Sequence, residues 1–365
     1  MKKILYAASR MSHITNFHLP YIDYFKSNGD EVHVLTQGSG NLDIDKIYDI
    51  DFEKKIMSFK NIRTIWKIKK ILEEEKYDLI ITNTTLCSFL IRVAKQISKV
   101  KNHGKLINIV HGYLFSNNTS FFKKTIYILV EKMCKKSTDR LLTMNKEDYE
   151  IAVKYRLCNY DIFNINGMGI PKPPTFSQEV RSSVRSFYSV DGDEILFTYI
   201  GELSKRKNQI FLFENIEQIS KIFPRFKLIL AGNGDLFDFY KSEIERLRLQ
   251  DKVILAGHVN NAKQLIYSSD IIISSSKSEG LPFNIMEAMS IGIPVIASRI
   301  KGHTDLIIDG YNGYLFDLNK DSFETKLKIL KEKLDIEELK NNEKSDIKKF
   351  ILDSVFDDNI ILIDI

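Results

Sequence analysis

Apolar residues along the first half of the chain recur in two alternating rhythms. Short β-branched runs at 3–9 (KILYAAS), 31–36 (EVHVLT), 78–83 (DLIITN), 105–110 (KLINIV), 139–143 (DRLLT) and 162–165 (IFNI) have the length of buried parallel strands. Between some of them, apolar residues return at helical spacing. One such stretch runs from 14 to 26 and is ended by Asn28-Gly29, and a basic one runs from 62 to 75. The second half repeats the alternation, with strands predicted at 195–200, 226–231, 253–257, 271–273 and 294–298. This order predicts an α/β architecture of doubly wound parallel sheets, whose ligands sit beyond the strands' carboxyl ends. Glycines 167 and 169 with Pro171, Pro173 and Pro174 mark a break. The expected division is a first domain at 1–170, a linker at 171–193 and a second domain from 194.

The richest stretch is 274–298, SSSKSEGLPFNIMEAMSIGIPVIAS. It reads as strand, loop, short helix and strand. Gly280 frees the turn and Pro282 suits a first helical position, so the helix is predicted from about Leu281, with Phe283 and Asn284 in its first turn. Its amino end offers unpaired amides and partial positive charge to an anion. Glu279 stands just outside that end and Glu287 about a turn and a half further on. Carboxylates accept hydrogen bonds in pairs, which suits vicinal hydroxyls of a sugar or ribose. The arrangement therefore points to a diphosphate with a sugar at each end.

Other strand ends add to this. Gly201 follows the strand at 195–200 and is succeeded by Lys205, Arg206 and Lys207, clustered cations opening a helix. Gly257-His258 ends another strand, and His111-Gly112 a strand of the first half, where an imidazole would face the interdomain cleft. The first strand ends at Ser9-Arg10-Met11-Ser12-His13 without a glycine-rich loop, and Arg10 and Ser12 are candidates there; His13 and His18 read as structural. Asn145 reads as a helix cap. The Gly232-Asn233-Gly234 turn lacks the rest of a dinucleotide fingerprint, and none follows the first strand, so a nicotinamide enzyme is disfavoured.

Glu279-x7-Glu287, within its twenty-five-residue setting, resembles the signature of the retaining GT-B glycosyltransferases of family 4. His111-Gly112-Tyr113-Leu114-Phe115 and Gly201-Glu202-Leu203 through Lys207-Asn208 are similar to segments of that family's bacterial capsule and exopolysaccharide branch. The resemblance implies two Rossmann-like domains facing across a cleft, the second at 194–345, and a last segment at 346–365 crossing back to the first. It implies that Glu279 holds donor-sugar hydroxyls, Glu287 the ribose, Lys207 the phosphates, and that His111 faces the donor sugar. Glu202 replaces an arginine usual in the family, and Arg206 is the candidate to take over its charge. The backbone at Gly257 and His258 would lie against the base. The implied donor is a nucleotide sugar, UDP-linked by expectation. The implied acceptor is a glycan or an undecaprenyl-diphosphate-linked glycan. A GT-B-type UDP-sugar 2-epimerase and a non-catalytic nucleotide-sugar binding protein share these features and stay open.

Composition trims the picture. With 365 residues and 44% hydrophobic content, the chain can bury two cores. Cys87, Cys134 and Cys158 show no paired metal spacing and suit a reducing compartment. No His/Asp cluster with metal-ligand spacing stands out, so a metal-independent reaction without cofactor is expected. No run reaches the roughly 18 to 20 apolar residues that span a bilayer, and the expectation is a cytoplasmic protein, peripheral on the inner face of the membrane. The net charge of +5 is uneven: residues 1–170 hold 27 Lys and Arg against 18 Asp and Glu, the remainder 26 against 30. Such a basic half suits nucleic acid, an anionic membrane or simply a solvated lysine-rich surface; contact with an anionic membrane, and no nucleic acid, is the expectation. In the stretch 120–136, Phe121, Phe122, Ile126, Leu129, Val130 and Met133 can share one helix side, with lysines near both ends. Such a helix either packs on the core or lies on a membrane.

Overall fold

A computed structural model describes residues 1–38, 40, 42–53, 58–100, 103–333 and 337–364. They form two compact units, one of residues 1–169 with 352–365, the other of residues 170–351.

In the first unit, strands β1 (Lys3–Ala7), β2 (Glu31–Thr36), β3 (Lys46–Asp49), β4 (Leu79–Asn83), β5 (Lys105–Val110), β6 (Arg140–Thr143) and β7 (Asp161–Asn164) make a parallel sheet. Their order is β3-β2-β1-β4-β5-β6-β7. The second unit holds β8 (Ile195–Ile200), β9 (Phe226–Ala231), β10 (Val253–Gly257), β11 (Ile271–Ser274), β12 (Val295–Ser298) and β13 (Tyr314–Phe316), ordered β10-β9-β8-β11-β12-β13 and again parallel. The order in which strands are added reverses between the first strand of each unit and a later one, β1 beside β4 and β8 beside β11. Open parallel sheets bind ligands at such switch points, beyond the carboxyl ends of the strands.

Several sequence expectations shift. The helix expected at 14–26 is two helices, Met11–Phe17 and Leu19–Ser27, because Pro20 has no amide to continue the ladder and starts a new helix instead. The helix expected from Leu281 begins at Phe283, since Pro282 is held in an extended conformation (ψ 111°) and serves as the cap. Helix Thr85–Ile97 went unread, although its Cys87, Leu90, Ile91 and Ala94 are fully buried. The expected linker at 171–193 instead contains helix Gln178–Phe187, which belongs to the second unit. Arg181 and Arg185 on it reach Asp270, Arg185 Nη1 at 2.9 Å from Oδ2. Asn145 caps helix Lys146–Tyr155 as expected, its Oδ1 accepting from the Asp148 amide at 2.9 Å.

The end of the chain packs in the first unit. Helix Leu352–Ile363 sends Asn359 Nδ2 to Tyr21 Oη at 2.8 Å and to the Gly167 carbonyl at 2.9 Å. Gly169 lies where a Cβ would come within 2.6 Å of Leu352 Cα, and its φ of +82° is one that only glycine adopts at no cost.

Helix Phe121–Cys134 is inverted relative to ordinary patterning. Its buried side carries Ile128, Glu131 and Cys134, while Phe121 and Phe122 are 87% and 77% exposed and Ile126, Leu129 and Met133 also face outward. The inward acid has a reason: Glu131 makes a two-pronged ion pair with the fully buried Arg92, at 2.8 and 3.1 Å. Removing one partner of such a pair leaves an uncompensated buried charge. We expect Arg92→Met to destabilise the first unit by about 3–5 kcal/mol, read as an early thermal transition, with the double change Arg92→Met, Glu131→Leu recovering most of the loss. A change under about 0.5 kcal/mol in the single variant would contradict this.

Candidate functional site

In the second unit, the loops after β8 and β11 leave neighbouring strands at the switch point and are laced together. Asn208 Nδ2 donates to the Ser275 carbonyl (3.1 Å), Ser275 Oγ to the Asn208 carbonyl (2.9 Å) and the Lys277 amide to the Arg206 carbonyl (2.8 Å). Asn208 adopts a left-handed φ of +56°, a conformation that asparagine tolerates better than most residues. The lacing brings Glu279 between two cations. Its Oε1 lies 2.7 Å from Lys207 Nζ and its Oε2 2.9 Å from Arg206 Nη1, which also donates to the Ser278 carbonyl. Glu279 is 8% exposed. Burial alone would raise its carboxyl, but the Lys207 and Arg206 charges outweigh that and hold it at about 2.

Glycines let these groups approach the backbone. The Lys207 side chain lies over Gly201, so that a Cβ there would stand 3.2 Å from Lys207 Cε. A Cβ on Gly302 would meet the Gly280 carbonyl at 2.5 Å. Asn284, in the first turn of helix Phe283–Ile291, donates to the Ile200 carbonyl at the end of β8 (2.8 Å) and so fixes the helix's amino end to the same switch point. Leu281 is buried beneath the loop.

Not every candidate joins this group. Glu287 lies further along the same helix, 3.8 Å from Lys263, and burial pushes its carboxyl up. Gly257 ends β10, where its carbonyl accepts from the Gly232 amide (2.7 Å), and His258 beside it is exposed. Glu202 is exposed, while Arg206 is the residue on the acid. After β12, Gly302 opens the single turn His303–Leu306, and its amide is already taken by Asp305 (2.9 Å). His303 escaped notice in the sequence. It is fully buried, neutral because burial pulls it down to about 4, and its Nδ1 donates to the Ser298 carbonyl (2.7 Å).

In the first unit, Ser9 donates through its amide to Thr84 Oγ1 (2.9 Å), joining the loops after β1 and β4. Thr84 carries a φ of +61°, rare for a β-branched residue and an indication of local strain. Beside it, Ser9, Arg10, Ser12, His13 and Thr84 line a pocket of about 330 Å³. His111 does not stand alone. Its Nε2 lies 3.3 Å from His13 Nε2 and 3.2 Å from Asn83 Oδ1, and His18 closes the group. Burial lowers His13 to about 4 and takes His18 and His111 well below the ordinary imidazole value, neighbouring imidazoles adding to the effect, so all three are neutral at pH 7. His13 and His18, read as structural, thus belong to one cluster with His111. His13 lies in the helix that follows β1, His111 directly follows β5, and His18 sits between the helices Met11–Phe17 and Leu19–Ser27.

Two family descriptions match the chain: Glycosyl transferase 4-like over residues 3–145 and Glycosyl transferases group 1 over residues 181–347. It is 30% identical to glycosyltransferase EpsD of Bacillus subtilis over 325 residues, 87% of this chain and 84% of that one. The chain belongs to the family 4-like glycosyltransferases. An Escherichia coli relative, UDP-Gal:alpha-D-GlcNAc-diphosphoundecaprenol alpha-1,3-galactosyltransferase, is 27% identical over 74% of this chain and 70% of its own length. The crystal structure of Anabaena HepE in complex with UDP and glucose matches the whole of both chains with a TM-score of 0.79 at 19% identity. That likeness establishes the GT-B fold for this glycosyltransferase.

The Glu279 ion pairs make a pH prediction. A carboxyl held below its ordinary value stabilises the fold fully above about 4.5 and loses that contribution as pH falls toward 2. Glu279→Gln should therefore melt below wild type at pH 6, with the gap closing between about pH 4.5 and 2. A gap that stays constant over that range in thermal melts would contradict the pairing.

Proposed function

We propose that this glycosyltransferase moves a hexose or N-acetylhexosamine from a UDP-sugar to a lipid-linked glycan acceptor in surface-polysaccharide assembly, with retention at the anomeric carbon. The observation that carries the reading is the pair of cations, Lys207 and Arg206, poised on the buried Glu279 at the switch point of the second unit. Likeness to EpsD and to the galactosyltransferase supports the reaction class, and the lipid-linked acceptor in the latter's name supports the acceptor proposed here.

As the glycosidic C–O bond to the phosphate breaks, negative charge grows on the departing diphosphate. Preorganised cations in a sheltered site stabilise such charge without reorganising. Lys207 and Arg206 take that role, and a divalent ion is not required for it. Glu279, released toward the sugar, holds donor hydroxyls, and Glu287 holds the ribose. The acceptor hydroxyl attacks from the leaving-group face, its oxygen bonding to the anomeric carbon while its proton passes to the leaving phosphate oxygen. His111, neutral and at a strand end, orients the sugar.

The acceptor's lipid gives the outward apolar side of helix Phe121–Cys134 a purpose. Phe121, Phe122, Leu129 and Met133 stand exposed among Lys123, Lys124 and Lys132, and Phe59 and Trp66 are exposed on the basic helix Phe59–Glu75. Apolar side chains flanked by lysines match an anionic membrane surface. Among the described residues no helix is long and apolar enough to cross a membrane.

With a UDP-sugar and acceptor, Glu279→Gln should cut turnover by at least about a hundredfold, and wild-type turnover would reject its role. Lys207→Ala should weaken UDP binding about tenfold or more in calorimetry, and turnover should persist in excess EDTA. Epimerised UDP-GlcNAc formed without acceptor would replace transfer by 2-epimerisation. Phe121→Ser with Phe122→Ser should release the protein from vesicles rich in phosphatidylglycerol in a sedimentation assay, and undiminished binding would remove this surface from the account.

A further inference from the structure

The imidazoles of the first unit converge more closely than orienting a sugar demands. Ring centroids of His13 and His111 are 4.4 Å apart, those of His13 and His18 5.1 Å, and those of His18 and His111 5.4 Å. One ring nitrogen from each of the three lies within 4.8 Å of the other two. His18 is fully buried; its Nδ1 lies 3.3 Å from Tyr6 Oη, and its Nε2 has no hydrogen-bond partner among the described residues. A buried nitrogen left in that condition costs about 1–3 kcal/mol.

A bound cation removes that cost. With zinc–nitrogen bonds of about 2.0–2.1 Å, tetrahedral geometry sets ligand nitrogens roughly 3.3 Å apart. His13 Nε2 and His111 Nε2 already stand 3.3 Å apart. The contact between His18 Nδ1 and Tyr6 Oη is the outer hydrogen bond that fixes a ligating imidazole's orientation and leaves Nε2 to the metal. Asn83 Oδ1, 3.2 Å from His111 Nε2, supplies an oxygen near the fourth position. The pocket lined by Ser9, Ser12 and His13 provides the approach.

A second cluster shows the contrast. Glu31, His33 and Glu75 also lie within reach of one another, yet His33 Nε2 is 2.8 Å from Glu31 and its Nδ1 2.8 Å from Tyr77 Oη, while Glu75 pairs with Lys3 and Lys46. Those groups are satisfied without an ion.

We propose that His13, His18 and His111 form a binding site for a borderline-soft divalent transition ion, Zn²⁺ by preference. Imidazole ligands without carboxylates select zinc-like ions over Mg²⁺ or Ca²⁺. The binding site stands on its own geometry. Its consequence rests on the role given to His111 above: a ring engaged by zinc cannot meet the donor sugar, so zinc inhibits transfer.

The test uses the full chain, free of any histidine tag and stripped with a chelator. Calorimetric titration with ZnCl₂ should show one ion per chain, and CoCl₂ should give the visible absorption bands of a tetrahedral nitrogen-rich site. Mg²⁺ should show no binding. His13→Gln and His18→Ala should each weaken zinc binding at least about tenfold, while His33→Ala leaves it unchanged. Should the buried His18→Ala fail to fold, the half-buried His13→Gln decides. A zinc Kd weaker than about 0.1 mM, unaltered binding in His13→Gln, or loss in His33→Ala would overturn the site. If zinc binds as expected but leaves transfer unaffected, the site stands and the role of His111 falls.

Discussion

A carboxylate taken out of water is costly unless cations meet it, and Glu279 is the point at which the second unit accepts that constraint. The acid is almost fully buried, and two side chains from the loop after the neighbouring strand, Arg206 and Lys207, neutralise it. Much of the local sequence follows from keeping those three together. Gly201 leaves room for the lysine stem, Gly302 for the Gly280 carbonyl, and Asn208 and Ser275 clasp the two loops. On the function proposed above, paired cations held against a single carboxylate await a ligand richer in negative charge. A diphosphate offers the cations more than the carboxylate does, and a sugar offers the carboxylate hydroxyls in return.

The first unit answers a different constraint. Its strand ends carry neutral imidazoles and hydroxyls rather than clustered charge, and its outer helices carry apolar groups beside lysines. The Arg92–Glu131 pair explains how such a helix can turn an acid inward and phenylalanines outward without losing its place: the ion pair, not an apolar stripe, anchors it. Division of labour between the two units is thus written in the polarity of their strand ends.

Much of this was legible in the sequence, and what was not has a physical reason. Parallel strands buried on both faces are continuous β-branched runs, so the strand and helix alternation and the doubly wound class could be read directly. The Glu279 motif was visible because its spacing is local. The break at His18 was missed because an apolar period continues through Pro20, whereas helix Thr85–Ile97 keeps a clear helical period through Cys87, Leu90, Ile91 and Ala94 and could have been read. The orientation of helix Phe121–Cys134 could not be read from periodicity, since its anchor is a charge pair with a residue thirty-nine positions away. Sequence distance likewise hides the histidine cluster: His13 follows β1 and His111 follows β5, the two strands that flank β4 in the sheet.

Hydrogen exchange of the protein with and without UDP tests the central claim most directly. If the diphosphate is held by the laced loops of the second unit, protection should rise at residues 201–208 and 276–287 and stay small through the strands of the first unit. Unchanged exchange in both segments at saturating UDP, with protection appearing elsewhere, would contradict the account.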